Sequence, residues 1–307
     1  MTVEGAELMK TAVLTTVYKG VEDYFKAFVE SLKAQTYKDF KLIVLNDGMT
    51  DLDRFLLNSG LYYHVINIDS NCSPTQVREK GIRLCIDNNF EALIFADSDD
   101  VLHCTRVQRC LDLLADNDIA LSNMALIDEA GSILGEHFFN ELNQKNIGFS
   151  HIIDSNYFGL TNTAVKAHIL DKVLPIPEDI IAVDWWIFSV LSYWSSRIAF
   201  IPEDLIYYRQ HAANLIGAGK LLDINRIKRG VEVKLRHYNR LSAYFKLIGN
   251  SELSILFKEK YCTFNKIRNI ILPDPGLAAK YMAYIEQNRV QSSAWWADIL
   301  EYKNQEE

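Results

Sequence analysis

The chain has 307 residues, 49% hydrophobic and 23% charged, which is enough apolar sequence for a full core in one or two domains and too much for a disordered chain. Its formal charge of −8 excludes nucleic acid as the main partner, because phosphate backbones are held by a basic field. The five cysteines, Cys72, Cys85, Cys104, Cys110 and Cys262, are odd in number and form no Cys-x-x-Cys pair, so they read as reduced packing residues rather than a zinc site or disulfide frame.

Residues 11–17 (TAVLTTV) predict a buried strand, and residues 24–34 a helix, with Tyr24, Phe25, Phe28, Val29 and Leu32 at helical spacing. Residues 41–45 form the next strand, ending in Asn46-Asp47-Gly48; residues 62–68 are another, residues 75–87 a second helix and residues 93–96 a further strand. This alternation predicts an α/β fold with a mostly parallel sheet covered by helices. No GxGxxG follows the first strand, which weighs against a dinucleotide site. No apolar run of about eighteen residues and no basic-then-apolar leader are present, so a cytoplasmic protein is expected.

The stretch EALIFADSDD runs from an apolar strand straight into Asp97, Asp99 and Asp100. Ligands of parallel sheets sit beyond the strands' carboxyl ends, so these acids and Asp47 are expected to line one crevice, two or three strands apart. They could hold a metal, supply a nucleophile or begin a solvated loop, and Asp47-Gly48 also suits a plain turn.

The order and spacing of Thr16-Val17-Tyr18, the SLKAQTY segment from Ser31 to Tyr37, Asn46-Asp47-Gly48 and Asp97-Ser98-Asp99-Asp100 resemble glycosyltransferase family 2, the inverting GT-A enzymes that use nucleotide sugars. Val183-Asp184-Trp185-Trp186 and Tyr208-Arg209-Gln210-His211 are similar to segments of bacterial members that build O-antigen and other surface polysaccharides, some of them rhamnosyltransferases. The likeness implies a GT-A catalytic domain over residues 1–219, with a nucleotide-binding part at about 10–100 and an acceptor part at about 101–219, followed by a helical region at 220–307. It further implies that Thr16 and Tyr18 frame the base of a UDP- or dTDP-sugar, that Asp47 accepts from the pyrimidine N3–H and that Asp97 approaches the ribose. Asp99 would hold Mn²⁺ or Mg²⁺, His211 would complete that metal site or touch the diphosphate, and Asp184 would be the catalytic base.

Elementary chemistry agrees with these roles. A divalent ion on hard oxygen ligands offsets the charge of a departing nucleoside diphosphate, and Arg209 is expected to add a fixed charge beside the phosphates. Inversion needs a base for the acceptor hydroxyl, and the indoles of Trp185 and Trp186 are expected to raise the Asp184 pKa and to stack on acceptor sugars. The plain alternatives are that Asp184 caps the helix at 185–193 and that both tryptophans are core. Arg78 stands where the family has Arg-Asn and this chain has Arg78-Glu79; it is a candidate for the nucleotide pocket. Asn46 replaces a second aspartate and Val183 a His or Glu.

Two rival readings remain open. Asp97-Ser98-Asp99-Asp100-Val101 also fits the motif of haloacid-dehalogenase-type phosphatases, with Asp97 as nucleophile and Asp99 as acid/base, although that motif normally opens the fold and here three strands precede it. A non-catalytic sugar-nucleotide binder is the other, against which the presence of Asp184 argues. In the last third, Ile224, Ile227, Val231, Leu235 and Tyr238 recur at helical steps, with Arg226, Arg229, Arg236 and Arg240 opposite. That basic face over residues 224–240 reads as solvated, or as contact with an anionic membrane surface or a lipid-linked acceptor at the inner face of the membrane. Helices at 253–270 and 275–302 are expected to pack on the catalytic domain or to pair subunits in a homo-oligomer.

Overall fold

The computed structural model describes residues 9–140, 142, 147–211, 223–288 and 293–302. The first strands are β1 (Thr11–Tyr18), β2 (Phe40–Asp47), β3 (Tyr63–Asn67) and β4 (Ala92–Phe95), side by side and parallel in the order β3-β2-β1-β4. β4 and the middle of β1 and β2 are buried on both faces, the condition under which a strand reads as a continuous apolar run. α1 (Glu22–Lys33) buries Phe25, Phe28, Val29 and Leu32 at three- and four-residue steps. After the short α2 (Asp53–Leu56), α3 (Pro74–Asp87) opens on a capping box: the Gln76 N–H donates to Ser73 Oγ and the Ser73 N–H to Gln76 Oε1, with Pro74 in the first turn.

The second half adds β5 (Val101–Leu102), β6 (Ile119–Ile127), β7 (Ile133–Gly135), β8 (Thr163–Lys166) and β9 (Ile198–Arg209). β8 lies antiparallel between β4 and β6, β9 runs parallel to β6, and β5 closes the far edge antiparallel to β9. The sheet of nine described strands is therefore mixed, with its longest ladders, β1–β2 and β6–β9, parallel. α4 (Arg106–Leu114), α5 (Phe149–Ile152) and the strongly apolar α6 (Val183–Trp194) complete this half.

The C-terminal helices are α7 (Ile224–Leu247), α8 (Ser251–Lys266) and α9 (Pro275–Asn288), with a π-helical turn at Ile267–Ile271. α7 packs on α6: His237 stacks on Trp185 at 4.0 Å, and Tyr244 meets Trp186 edge-on at 5.8 Å. Phe245 and Phe257 close α7 on α8. The helix expected to run to residue 302 does not reach it: residues 293–302 form a non-helical segment that bridges Asn156 through Trp295, with Trp296 in the left-handed region at φ 67°.

The basic face of α7 is largely neutralised from within the chain. Arg226 pairs with Asp298 at 2.6 Å, Arg236 with Glu232 at 2.8 Å and Arg240 with Asp179 at 2.6 Å. No helix among the described residues is long and apolar enough to cross a membrane. All five cysteines are free, but only Cys85 and Cys110 are buried; Cys104 and Cys262 are exposed, so the packing explanation does not extend to them.

Candidate active site

A cavity of about 390 Å³ opens where the carboxyl ends of β1 and β4 meet the first turn of α6, within the size range of small-ligand sites. Thr16 and Tyr18 enter it from β1, Asp97, Ser98 and Asp99 from the loop after β4, and Arg78 from α3. Asp184, Tyr208 and His211 face the same space, and Trp295 and Trp296 close it.

One short pairing brings the acids to the histidine. β5 follows the acidic loop directly and pairs with β9 in the register Val101↔Tyr207 and Leu102↔Ile206, which carries the end of β9 past the acids. The Arg209 N–H then donates to Asp100 Oδ1 at 2.9 Å, and two residues on His211 Nε2 lies 3.0 Å from Asp99 Oδ2. The Tyr18 hydroxyl donates to the same Asp99 oxygen at 3.1 Å, and the His211 ring stacks on Tyr24 at 5.2 Å. Burial, and then the Asp99 carboxylate, push the Tyr18 phenol up, so it stays a donor. Asp100 is buried, and burial followed by the charges of Asp99 and Asp97 raises its carboxyl well above the usual range.

Arg209 does not line the cavity. Its guanidinium donates to the carbonyls of Asp99 at 2.9 Å, Asp128 at 3.0 Å and Glu129 at 2.8 Å, and lies over the Tyr24 ring. This buried side chain fixes the backbone of the acidic loop.

On the β1 side, the Arg78 guanidinium donates to Thr16 Oγ1 and reaches Asp97 Oδ1 at 3.4 Å. Burial raises the Asp97 carboxyl, Arg78 opposes the rise and Asp99 adds to it. Asp47 is half-buried in register with Tyr18 on the adjacent strand and is not among the residues lining the cavity. The turn reading of its neighbourhood also holds: Asn46 secures it, accepting from the Met49 N–H at 2.9 Å and donating to the Met49 carbonyl at 3.2 Å.

Asp184 is the second residue of α6 and not its cap, which is Ala182. Its Oδ1 accepts from the Trp185 N–H at 2.8 Å and its Oδ2 from the Asn156 side-chain amide at 3.0 Å. Burial pushes the carboxyl up to about 6, against the Trp185 N–H bond and with the help of the Asp97 charge. Trp185 and Trp186 are core instead of acceptor contacts: their indole N–H groups donate to the carbonyls of Ile152 at 2.7 Å and Val173 at 3.3 Å.

The indoles at the cavity are Trp295 and Trp296, which sequence reasoning missed together with Asn156 and Tyr208. Their one signal is a second adjacent tryptophan pair in Ala294-Trp295-Trp296-Ala297. Gly159 makes room for Trp295, because a Cβ there would sit 2.9 Å from its Cη2.

Asp99 and His211 suit a hard or borderline divalent ion. Neighbouring ligands of an octahedral ion bound at about 2.1 Å stand about 3 Å apart, and Asp99 Oδ2 and His211 Nε2 are 3.0 Å apart. No group of three or more His, Cys, Asp or Glu residues converges among the described residues, so such an ion would complete its shell with water and phosphate oxygens. The imidazole favours Mn²⁺ over Mg²⁺.

Comparison with known proteins identifies relatives of this arrangement. The model of Glycosyl transferase family 2 matches residues 12–168. An uncharacterized glycosyltransferase of Nostoc sp. is 24% identical over 233 residues, which cover 67% of this chain and 66% of its own. Glycosyltransferase GlyA of Streptococcus pneumoniae is 27% identical over 221 residues, 67% of this chain and 31% of its own. The chain thus spans less than two thirds of the length of either relative. Among solved structures, S. aureus TarS in complex with UDP-GlcNAc has a TM-score of 0.61, covers 91% of this chain and 79% of that one, and at 16% identity shows a shared fold.

Proposed function

The chain belongs to glycosyl transferase family 2, and on that footing we propose that it moves a sugar, with inversion, from a UDP- or dTDP-linked donor to a hydroxyl of a growing glycan or lipid-linked acceptor in bacterial surface polysaccharide synthesis. The observation that carries this reading is the convergence in one cavity of a metal-suited pair, Asp99 and His211, with a separate carboxylate of raised pKa, Asp184. Residues of about 10–100 would take the donor, those of about 101–219 the acceptor, and residues 220–307 would complete the acceptor wall.

Thr16, Tyr18, Arg78 and Asp97 bind base and ribose, with Asp47 beside Tyr18 reaching the pyrimidine edge. Asp99 and His211 would hold Mn²⁺ or Mg²⁺, which would supply positive charge to offset that of the departing diphosphate. Asp184, with a pKa of about 6, is ionised at neutral pH yet more basic than an ordinary carboxylate, which suits it to take the acceptor hydroxyl's proton during attack. Direct attack from the face opposite the diphosphate inverts the anomeric centre. The phosphatase alternative falls with family membership. We place the enzyme in the cytoplasm, where a lipid-linked acceptor would hold it at the inner membrane face.

A thermal-shift screen of UDP-, dTDP- and GDP-sugars with and without Mn²⁺ tests the reading, since a bound ligand stabilises the native state by mass action. Stabilisation by one uridine or thymidine diphosphate sugar, dependent on Mn²⁺ and lost in Asp99→Ala, is expected. Equal stabilisation of the parent and Asp99→Ala would remove the metal assignment.

A further inference from the structure

We infer that the acceptor side of this cavity holds a phosphate group carried by the acceptor, bound by Arg229 beside the Trp295–Trp296 pair; the inference rests on the glycosyl-transfer reading of the site. Two arginines line the cavity, Arg78 and Arg229. Arg78 is committed to Thr16 and Asp97. Arg229 is exposed and forms no hydrogen bond or ion pair among the described residues, while the other three arginines of its helix are each paired to a carboxylate. The acids that line the cavity with it are already engaged, Asp97 by Arg78, Asp99 by His211 and Tyr18, and Asp184 by Asn156 and the Trp185 N–H. An uncommitted guanidinium at such a mouth suits an incoming anion, and its fork of donors matches phosphate.

The placement of Arg229 assigns it to the acceptor. One turn earlier, Arg226 pairs with Asp298, and one residue later Gly230 lets Ile299 press on the helix, where a Cβ would lie 2.4 Å from Ile299 Cγ1. The start of α7 is thereby seated on residues 293–302. That segment is tied through Trp295 to both backbone groups of Asn156, at 2.9 and 2.8 Å, and the Asn156 side chain holds Asp184. Arg229 therefore belongs to the wall fastened to the proposed base, whereas the donor-side acids are carried by β4 and fixed by β9. Trp295 and Trp296 give that wall apolar surface on which a sugar ring can lie.

A phosphate here has two sources, the acceptor or the donor's own diphosphate, and occupying the donor site separates them. Glucose 6-phosphate and glucose are titrated calorimetrically into the full chain saturated with UDP and Mn²⁺, for the parent, Arg229→Gln and Arg229→Lys. Loss of a charge-assisted contact corresponds to about tenfold in affinity or more. The expected result is that glucose 6-phosphate binds about tenfold or more tightly than glucose, that Arg229→Gln erases the difference while UDP affinity stays within about twofold, and that Arg229→Lys keeps part of it. Equal affinity for the two sugars in the parent overturns the inference, as does a UDP affinity that falls about tenfold in Arg229→Gln, which would assign the guanidinium to the donor. A parent chain that binds neither UDP nor dTDP overturns the underlying reading as well, so the two failures are distinguishable.

Discussion

Asn156 donates its side-chain amide to Asp184 Oδ2 at 3.0 Å while its main chain exchanges both hydrogen bonds with Trp295. One fully buried residue thus orients the proposed base and fastens the C-terminal segment beside it.

A hydrogen bond donated to a carboxylate favours its charged form, so Asn156→Ala should raise the Asp184 pKa above its parent value of about 6. A base must be ionised to act: transfer by the parent should fall about tenfold per pH unit below about 6, and in Asn156→Ala this acid limb should move to higher pH. The rate loss would then be larger at pH 6 than at pH 8. A loss by the same factor at both pH values would leave Asn156 a purely structural residue.

Trp185 tests the exchange of roles between the two tryptophan pairs. Trp185→Phe removes a buried indole donor from the Ile152 carbonyl and disturbs the stack on His237, at a cost of about 1–3 kcal/mol. The variant should have a lower Tm and an acceptor KM close to that of the parent. An acceptor KM raised several-fold with Tm unmoved would return Trp185 to the acceptor site.

His237 links stability to pH. It is buried against Trp185, and burial followed by the Lys234 charge lowers its pKa to about 3. Below its ordinary value of about 6.5 the unfolded chain binds a proton that the folded chain refuses, so this histidine's contribution to stability is complete above that pH and is lost as pH falls towards 3. The Tm advantage of the parent over His237→Leu should therefore shrink between pH 7 and pH 5. A gap constant across that range would show that His237 does not carry the linkage.

All strands and helices of the first hundred residues except the one-turn α2 were legible, helped by the apolar runs of β1, β2 and β4 and the spaced face of α1. Asp97 and Asp99 stood out because carboxylates follow the apolar β4 abruptly, whereas Asp184 stood out only through the family likeness, its own pattern fitting a plain helix cap equally well. The errors came from treating sequence neighbours as spatial ones. Successive helix residues point about 100° apart, so an Asp184 that faces the cavity sends Trp185 and Trp186 into the core. Strand side chains alternate, so Tyr208 lines the cavity while Arg209 turns to the backbone of the acidic loop. Trp295 reaches the site through a contact with Asn156 far away in the chain, and no periodicity within residues 275–302 records that pairing.

The central claim is that Asp184 acts as the base of glycosyl transfer, and the measurement that tests it most directly is steady-state transfer beside donor affinity for Asp184→Asn. The proton is taken only as transfer occurs, so the loss should fall on the transition state. A fall in kcat of about 10² or more is predicted, with nucleotide-sugar affinity within a few-fold of the parent and the fold intact. Near-parent transfer by a folded Asp184→Asn chain, or a loss of donor affinity as large as the loss of rate, would contradict the account.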